Sequence, residues 1–140
     1  MQYLMHHLLR DSAQKYPEKE AIIQDERRFT YEQTDIITNN LSHVLKNAGT
    51  ERGDRIGVFF DHSLEQVFSF FSILKAGGVY VPINSLLHGE QVDHIARNCS
   101  IKGVLLDAKR LDLLKDHISD WKFLSYLIVS GSIPEWAQPV

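Results

Sequence analysis

Three aspartate–histidine neighbours, Asp61-His62, Asp93-His94 and Asp116-His117, have the residue types of acid–base chemistry. A carboxylate bonded to an imidazole orients the ring and stabilises its cation, which makes a general base. Adjacent residues on a helix or strand point in different directions, so none of these pairs forms a dyad by itself. They read as polar surface residues. His6-His7 is not a metal-ligand pair, because helical ligands stand at i and i+4. Cys99 is the only cysteine, which excludes internal disulfides and CxxC metal sites. It falls on the apolar face of a predicted helix and reads as a small hydrophobe rather than a nucleophile. A single thiol fits a reducing compartment.

Phosphate chemistry needs backbone N–H groups gathered in a glycine-rich loop. The nearest glycine clusters are Gly49-Thr50-Glu51-Arg52-Gly53 and Gly77-Gly78, and neither matches GxxxxGK[ST] or GxGxxG. This argues against an ordinary doubly wound nucleotide-binding domain. Asn84 and His88 follow the end of a predicted strand, where open α/β sheets place ligands. They are the polar residues to follow, with ordinary loop residues as the other reading.

The elements that would position these groups alternate between helical and strand-like periods. Tyr3 to Tyr16 reads as a helix stopped by Pro17. Ala21–Ile23 and Arg28–Thr30 flank the polar turn Gln24–Arg27, which predicts a hairpin. Thr30 and Gln33 have capping-box spacing, and Ile37, Leu41, Val44, Leu45 and Ala48 line one face of the helix they open. Gly49 suits its C-terminal stop. Arg55–Phe60 is apolar enough for a strand covered on both faces. Ser63 and Gln66 open a second capped helix that runs to about Ala76, in which Phe68, Phe70 and Phe71 read as core.

Val79–Val81 is the next strand, closed by Pro82, which lacks an N–H for pairing. Then come a helix at Glu90–Asn98, a strand at Gly103–Leu106, a short helix at Arg110–His117 and a strand at Leu124–Val129. Gly131–Pro134 reads as a turn, and Glu135–Val140 shows no pattern. Helix–strand repetition of this kind predicts an α/β fold: a mostly parallel sheet with flanking helices and a short N-terminal hairpin.

The bulk numbers agree with one domain or part of a larger one. Of 140 residues, 44% are apolar and 24% charged, so a core can form. A net charge of −3 gives no basic footprint for nucleic acid. Arg27-Arg28 and Lys109-Arg110 flank turns and read as solvated surface. No secretory signal and no membrane-spanning stretch is evident, and a cytoplasmic location is expected.

Four segments in register carry a family resemblance. Tyr16-Pro17-Glu18-Lys19-Glu20-Ala21-Ile22 resembles xPDKxAI, and Phe29-Thr30-Tyr31-Glu32-Gln33 resembles (F/L)TYxEL. Gly53-Asp54-Arg55-Ile56-Gly57-Val58 resembles GDRVAV. Leu74 to Asn84, reading LKAGGVYVPIN, resembles LKAGAxYVPIN and is the most specific. Together they resemble the N-terminal part of AMP-forming acyl-CoA ligases, in the adenylate-forming superfamily, over about Leu4 to Val129. Each motif also has a structural job: Thr30 caps, Asp54 bonds local N–H groups, Gly77 and Gly78 end a helix, and Lys75 suits a helix C-terminus.

The resemblance implies an enzyme that joins a carboxylic acid to ATP and passes the acyl group to coenzyme A, with Mg²⁺ offsetting the triphosphate charge. It implies residues 1–140 to be an incomplete first subdomain. The family's TSGTTGxPKG-type phosphate loop, its Thr-Glu pair for Mg²⁺ and its C-terminal lysine have no counterpart in these residues. No catalytic, cofactor-binding or metal-binding residue is therefore assigned, and no ATP, Mg²⁺ or coenzyme A is expected to bind this chain. Amino-acid-activating members usually continue with DPxYPxxR. Here Asn84-Ser85-Leu86-Leu87-His88-Gly89-Glu90-Gln91-Val92 follows instead, which resembles the INPLL and Gln-containing helix common in acyl- and aryl-CoA ligases, except that Ser85 replaces their usual proline. This favours a carboxylic-acid substrate over an amino acid.

A standalone non-catalytic binding or partner-subunit protein is the second reading, and an amino-acid-activating fragment the third. A severed subdomain should expose the face meant for its missing neighbour and self-associate. Trp121 and Trp136 are expected on that face.

Overall fold

In the computed structural model, the described residues are 3–132 and 136. A helix α1 (His7–Lys15) precedes an antiparallel hairpin of β1 (Glu20–Gln24) and β2 (Arg27–Thr30). There follow α2 (Tyr31–Asn47), β3 (Arg55–Phe59), α3 (Leu64–Lys75), β4 (Val79–Pro82), α4 (Gly89–Cys99), β5 (Gly103–Asp107), α5 (Ala108–Leu113) and β6 (Tyr126–Ser130), with a 3₁₀ turn at Ile118–Asp120. The last four strands form one parallel sheet in the order β4-β3-β5-β6. The expected α/β architecture, hairpin included, is observed.

The sheet is buried between two cores because its strands alternate. Ile56, Val58, Phe60 and Leu105 turn to one face with Leu45 and Ile73. Phe59, Val104 and Leu106 turn to the other, with Val92, Ala96, Leu111 and Trp121. Trp121 is thus buried rather than displayed, and its indole N–H donates to Asp93 Oδ1 at 2.6 Å. Trp136 is 38% exposed and donates to Asp112 Oδ1. The turn expected at Gly131–Pro134 and the stretch Glu135–Val140 fall mostly outside the described residues.

The apolar face expected for α2 is only part of its buried face. Leu45 is buried and Leu41 packs beside it, while Val44 is half exposed and Thr34, Thr38 and Ser42 are buried as well. The reason is close helix–helix packing. On α3 the buried residues include Ser69 and Ser72, and their hydroxyls donate to carbonyls of their own helix, Glu65 O at 2.7 Å and Phe68 O at 2.6 Å. Thr38 does the same to Thr34 O at 2.8 Å. Small side chains satisfied within their helix let α2 and α3 approach without orphaned polar groups. The helical period then turns Phe68, Phe70 and Phe71 to half-buried positions, where Phe70 meets Tyr80 edge-to-face. Lys75 clasps the two helices. Its ammonium, with 9% of the side chain exposed, donates to Asp35 Oδ1 at 2.6 Å, Thr38 Oγ1 at 2.8 Å and Asn39 Oδ1 at 2.8 Å.

Two of the sequence motifs meet just beyond this C-terminal end of α3. The Gly53 N–H donates to Gly77 O at 2.9 Å, and the Val79 N–H donates to Asp54 O at 2.7 Å. Gly53 (φ 89°) and Gly77 (φ 83°) both take the left-handed conformation, which side chains resist. The Asp54 carboxylate accepts the Glu51 N–H at 2.7 Å, as its position predicts. Pro82 differs from expectation: it lies inside β4, opposite Val58. The Ile83 N–H points inward to Val58 O, so the proline nitrogen falls on the open edge, where no donor is needed. The α5 helix also starts earlier than expected, because Asp107 caps it and accepts the Arg110 N–H at 2.8 Å.

Candidate functional site

In an open parallel sheet, ligands gather at the carboxyl ends of the strands, where neighbouring strands send their connections to opposite sides. The order β4-β3-β5-β6 fixes that point. The chain leaving β3 runs through α3 to β4, and the chain leaving β5 runs through α5 to β6. The crevice therefore lies between the ends of β3 and β5. Phe59 and Asp61 approach it from one side, Asp107 and Arg110 from the other.

These residues form one ionic cluster. Arg110 Nη2 lies 2.6 Å from Asp61 Oδ1, and Nη1 lies 2.5 Å from Asp107 Oδ2. The guanidinium sits 5.6 Å from the centre of the Phe59 ring. Only 6% of the Arg110 side chain is exposed, against 68% of Asp61. Burial opposes the arginine's charge, and the two carboxylates outweigh it, raising its pKa. The Arg110 guanidinium and then the Ser85 hydroxyl hold the Asp61 carboxyl below its ordinary value. Arg110 Nε is the one buried side-chain nitrogen or oxygen without a partner among the described residues.

The far side of the same loop is tied to the hairpin. Gln24 Oε1 accepts the Leu64 N–H at 3.1 Å, and Arg27 Nη1 donates to Glu65 Oε1 at 2.8 Å. Ser63 caps α3 through the Gln66 N–H. The connection from β3 to α3 is thus held by the hairpin and by α5 together.

Chemically, this arrangement is a lock. Both carboxylates accept from one guanidinium, which neither gives nor takes a proton near neutral pH. Sequence reading missed it, placing Lys109-Arg110 on the surface. The available signal was Asp107 three residues before Arg110 at the end of an apolar strand, the spacing of a cap and an i, i+3 ion pair.

The other candidates take structural partners. His62 offers its carbonyl to Gln24. Asp93 accepts from Trp121 and from Arg97 Nε at 2.9 Å, and His94 bonds Asn98 at 3.0 Å. The nearest imidazole to the Asp93 carboxylate is His117, at 3.9 Å, rather than its neighbour His94. Asn84 Oδ1 accepts the Leu86 N–H at 3.0 Å, and the His88 N–H donates to Gln91 Oε1 at 2.9 Å at the start of α4. Cys99 is half-buried against the α4 side of the core. His6 and His7 meet edge-to-face, and His7 Nδ1 accepts the Leu4 N–H. Burial, then the neighbouring His7, lowers the His6 pKa.

A surface cavity of about 690 Å³ lies at the other end of the sheet, beside Lys46, Arg52 and Gly77. Its lysines sit in the last turns of α2 and α3, where cations complement the helix dipoles. We therefore place the candidate site at the switch point. It does not fit Mg²⁺: Asp61 and Asp107 are neutralised by Arg110, and the described residues contain no group of three or more His, Cys, Asp or Glu arranged for a metal.

Comparison with known proteins agrees with this geometry. A family model described as AMP-binding enzyme matches residues 9–134. The chain is 34% identical over 107 residues to syringomycin synthase SyrB1 of Pseudomonas syringae pv. syringae, covering 76% of this chain and 17% of that protein. It is 35% identical over 92 residues to tyrocidine synthase 2 of Brevibacillus parabrevis, covering 66% of this chain and 3% of that one. Among solved structures it superposes on the anthranilate CoA ligase AuaEII, in complex with anthranoyl-AMP, with a TM-score of 0.91 and 27% identity. That match covers 96% of this chain and 26% of the ligase. A Mycobacterium tuberculosis fatty acyl CoA synthetase matches with a TM-score of 0.85 and 25% identity, over 91% of this chain and 26% of that one. The chain thus spans about a quarter of these solved relatives, and 17% and 3% of the two synthases.

Proposed function

Because the chain belongs to the AMP-binding enzyme family, we propose that it is the first-subdomain scaffold of an acid–thiol ligase. In that reaction a carboxylate attacks the α-phosphorus of ATP and pyrophosphate leaves. A coenzyme A thiolate then attacks the acyl-adenylate carbonyl, and AMP leaves with the electron pair of the broken bond. The scaffold positions the switch-point edge of the sheet and contributes no reacting group. The chain alone does not perform adenylation, since no phosphate loop stands within it.

The observation that carries the acid-specific reading is the β4–α4 connection. Asn84 and Gln91 close its two turns with their side chains. Amino-acid-activating members place a DPxYP segment there. The two synthases, at 34% and 35% identity, support amino-acid activation as the second reading. A whole polypeptide that carries this segment together with a phosphate loop decides between them. AMP release should require a carboxylic acid and coenzyme A, yielding an acyl-CoA. Release driven by an amino acid, with no coenzyme A product, would establish the second reading.

A further inference from the structure

Arg110 divides its fork. A guanidinium holds a single carboxylate most firmly when two of its N–H groups meet both oxygens. Here Nη2 reaches Asp61 Oδ1 and Nη1 reaches Asp107 Oδ2, while Nε stays buried without a partner. An orphaned buried N–H is a cost that one bidentate pair would avoid. What the division gains is a bridge between two strand ends, because Asp61 follows β3 and Asp107 closes β5.

The two ends of that bridge differ. The Asp61 end is braced from outside the sheet. Gln24 accepts the Leu64 N–H, Arg27 pairs with Glu65, and Ser63 caps α3, all within a few residues of Asp61. The Asp107 end carries other structure. Its backbone pairs with Ser130, the last residue of β6, and its carboxylate caps α5. The residues after Ser130 therefore leave the sheet beside it. Phe59, which ends β3, lays its ring 5.6 Å from the guanidinium and gives the bridge an apolar floor. A braced turn is thus linked through one side chain to the point where the chain departs from β6.

We infer that Arg110 is a positioning residue for adenylation, setting the exit of β6 relative to the braced β3–α3 turn. The inference rests on the ligase reading, on which the phosphate loop comes after β6. A loop that leaves the sheet from a displaced exit still binds substrate, and it misaligns the reacting atoms. The loss therefore falls on kcat rather than on KM.

The test uses Asp61, which belongs to neither core, so its truncation opens no cavity. Asp61→Ala cuts the bridge and leaves Arg110 paired with Asp107. Amide hydrogen exchange of the 140-residue chain reads the coupling without any activity. Exchange at Val129 and Ser130 should quicken about threefold or more in the variant, with Leu127 of the same strand unchanged. In a whole polypeptide that carries a phosphate loop, Asp61→Ala should lower kcat for acid-dependent pyrophosphate exchange about tenfold or more, at an unchanged KM for the acid. Asp61→Asn keeps an acceptor oxygen and should recover part of both effects. Unaltered exchange at the end of β6 overturns the inference, and so does quickening spread evenly over all strands, which marks a merely structural role. Unchanged kcat, or a raised KM alone, overturns it as well. Should the unaltered polypeptide form no adenylate from any acid or amino acid, the ligase reading fails, and the exchange arm alone decides whether the bridge couples the two strand ends.

Discussion

Gly103→Val should cost the fold about 3 kcal/mol or more, the upper range for overpacking a close-packed site. Gly103 pairs with Tyr126 across β5 and β6. A Cβ built on Gly103 would lie 2.2 Å from the tyrosine ring, far inside van der Waals contact. The ring cannot swing aside freely, because its hydroxyl bonds Thr50 Oγ1 at 2.8 Å, tying β6 to the loop before β3. Moving it gives up that bond, worth about 1 kcal/mol, in addition to the strain. Burial also raises the Tyr126 pKa, so the ring stays neutral and the bond is kept at physiological pH. Urea unfolding checks the prediction. In a Tyr126→Ala background the same valine should cost far less, because the collision is gone. A loss below about 1 kcal/mol in the otherwise unchanged protein would show that the ring relaxes easily.

Arg110→Ala should cost about 3 kcal/mol, since the side chain is nine-tenths buried and its stem covers the Phe59 ring. The Asp107 carboxylate still caps α5 in the variant, so helix content should survive. The acid dependence identifies the cause. Asp61 has a folded pKa lowered from 3.8, so its pairing stabilises the protein above that value. That stability is lost as pH falls through the lower, folded value. The gap between the original protein and Arg110→Ala should therefore narrow on acidification, and the Asp61 carboxyl should titrate higher in the variant. A gap that stays constant with pH would assign the loss to packing alone.

Much of the fold was legible because its signals are local. The Thr30–Gln33 box closes as its spacing predicts, with both bonds formed. The apolar run at Arg55–Phe60 becomes the sheet's interior strand, and the hairpin turns at Gln24–Arg27. What was not legible depends on partners far along the chain. An amphipathic reading of α2 cannot foresee a helix interface built from serine and threonine, since hydroxyls look polar until their own helix satisfies them. Lys75 looked like a partner for a helix end, and its role as a clasp depends on Asp35 and Asn39, on another helix. The switch-point cluster joins Asp61 to Arg110 across two strands, and no spacing in the sequence links them. Nor does any spacing link Asp93 to its partner Trp121, which comes from a separate element of the chain.

The central claim is that these residues build a scaffold for adenylate chemistry without performing it. Acid-dependent exchange of labelled pyrophosphate into ATP by the purified 140-residue chain tests this most directly. A folded, cooperatively unfolding protein should give no exchange above a heat-killed control, with carboxylic acids or with amino acids. Exchange above that control, retained on repurification, would contradict the claim and place a working phosphate site within these residues.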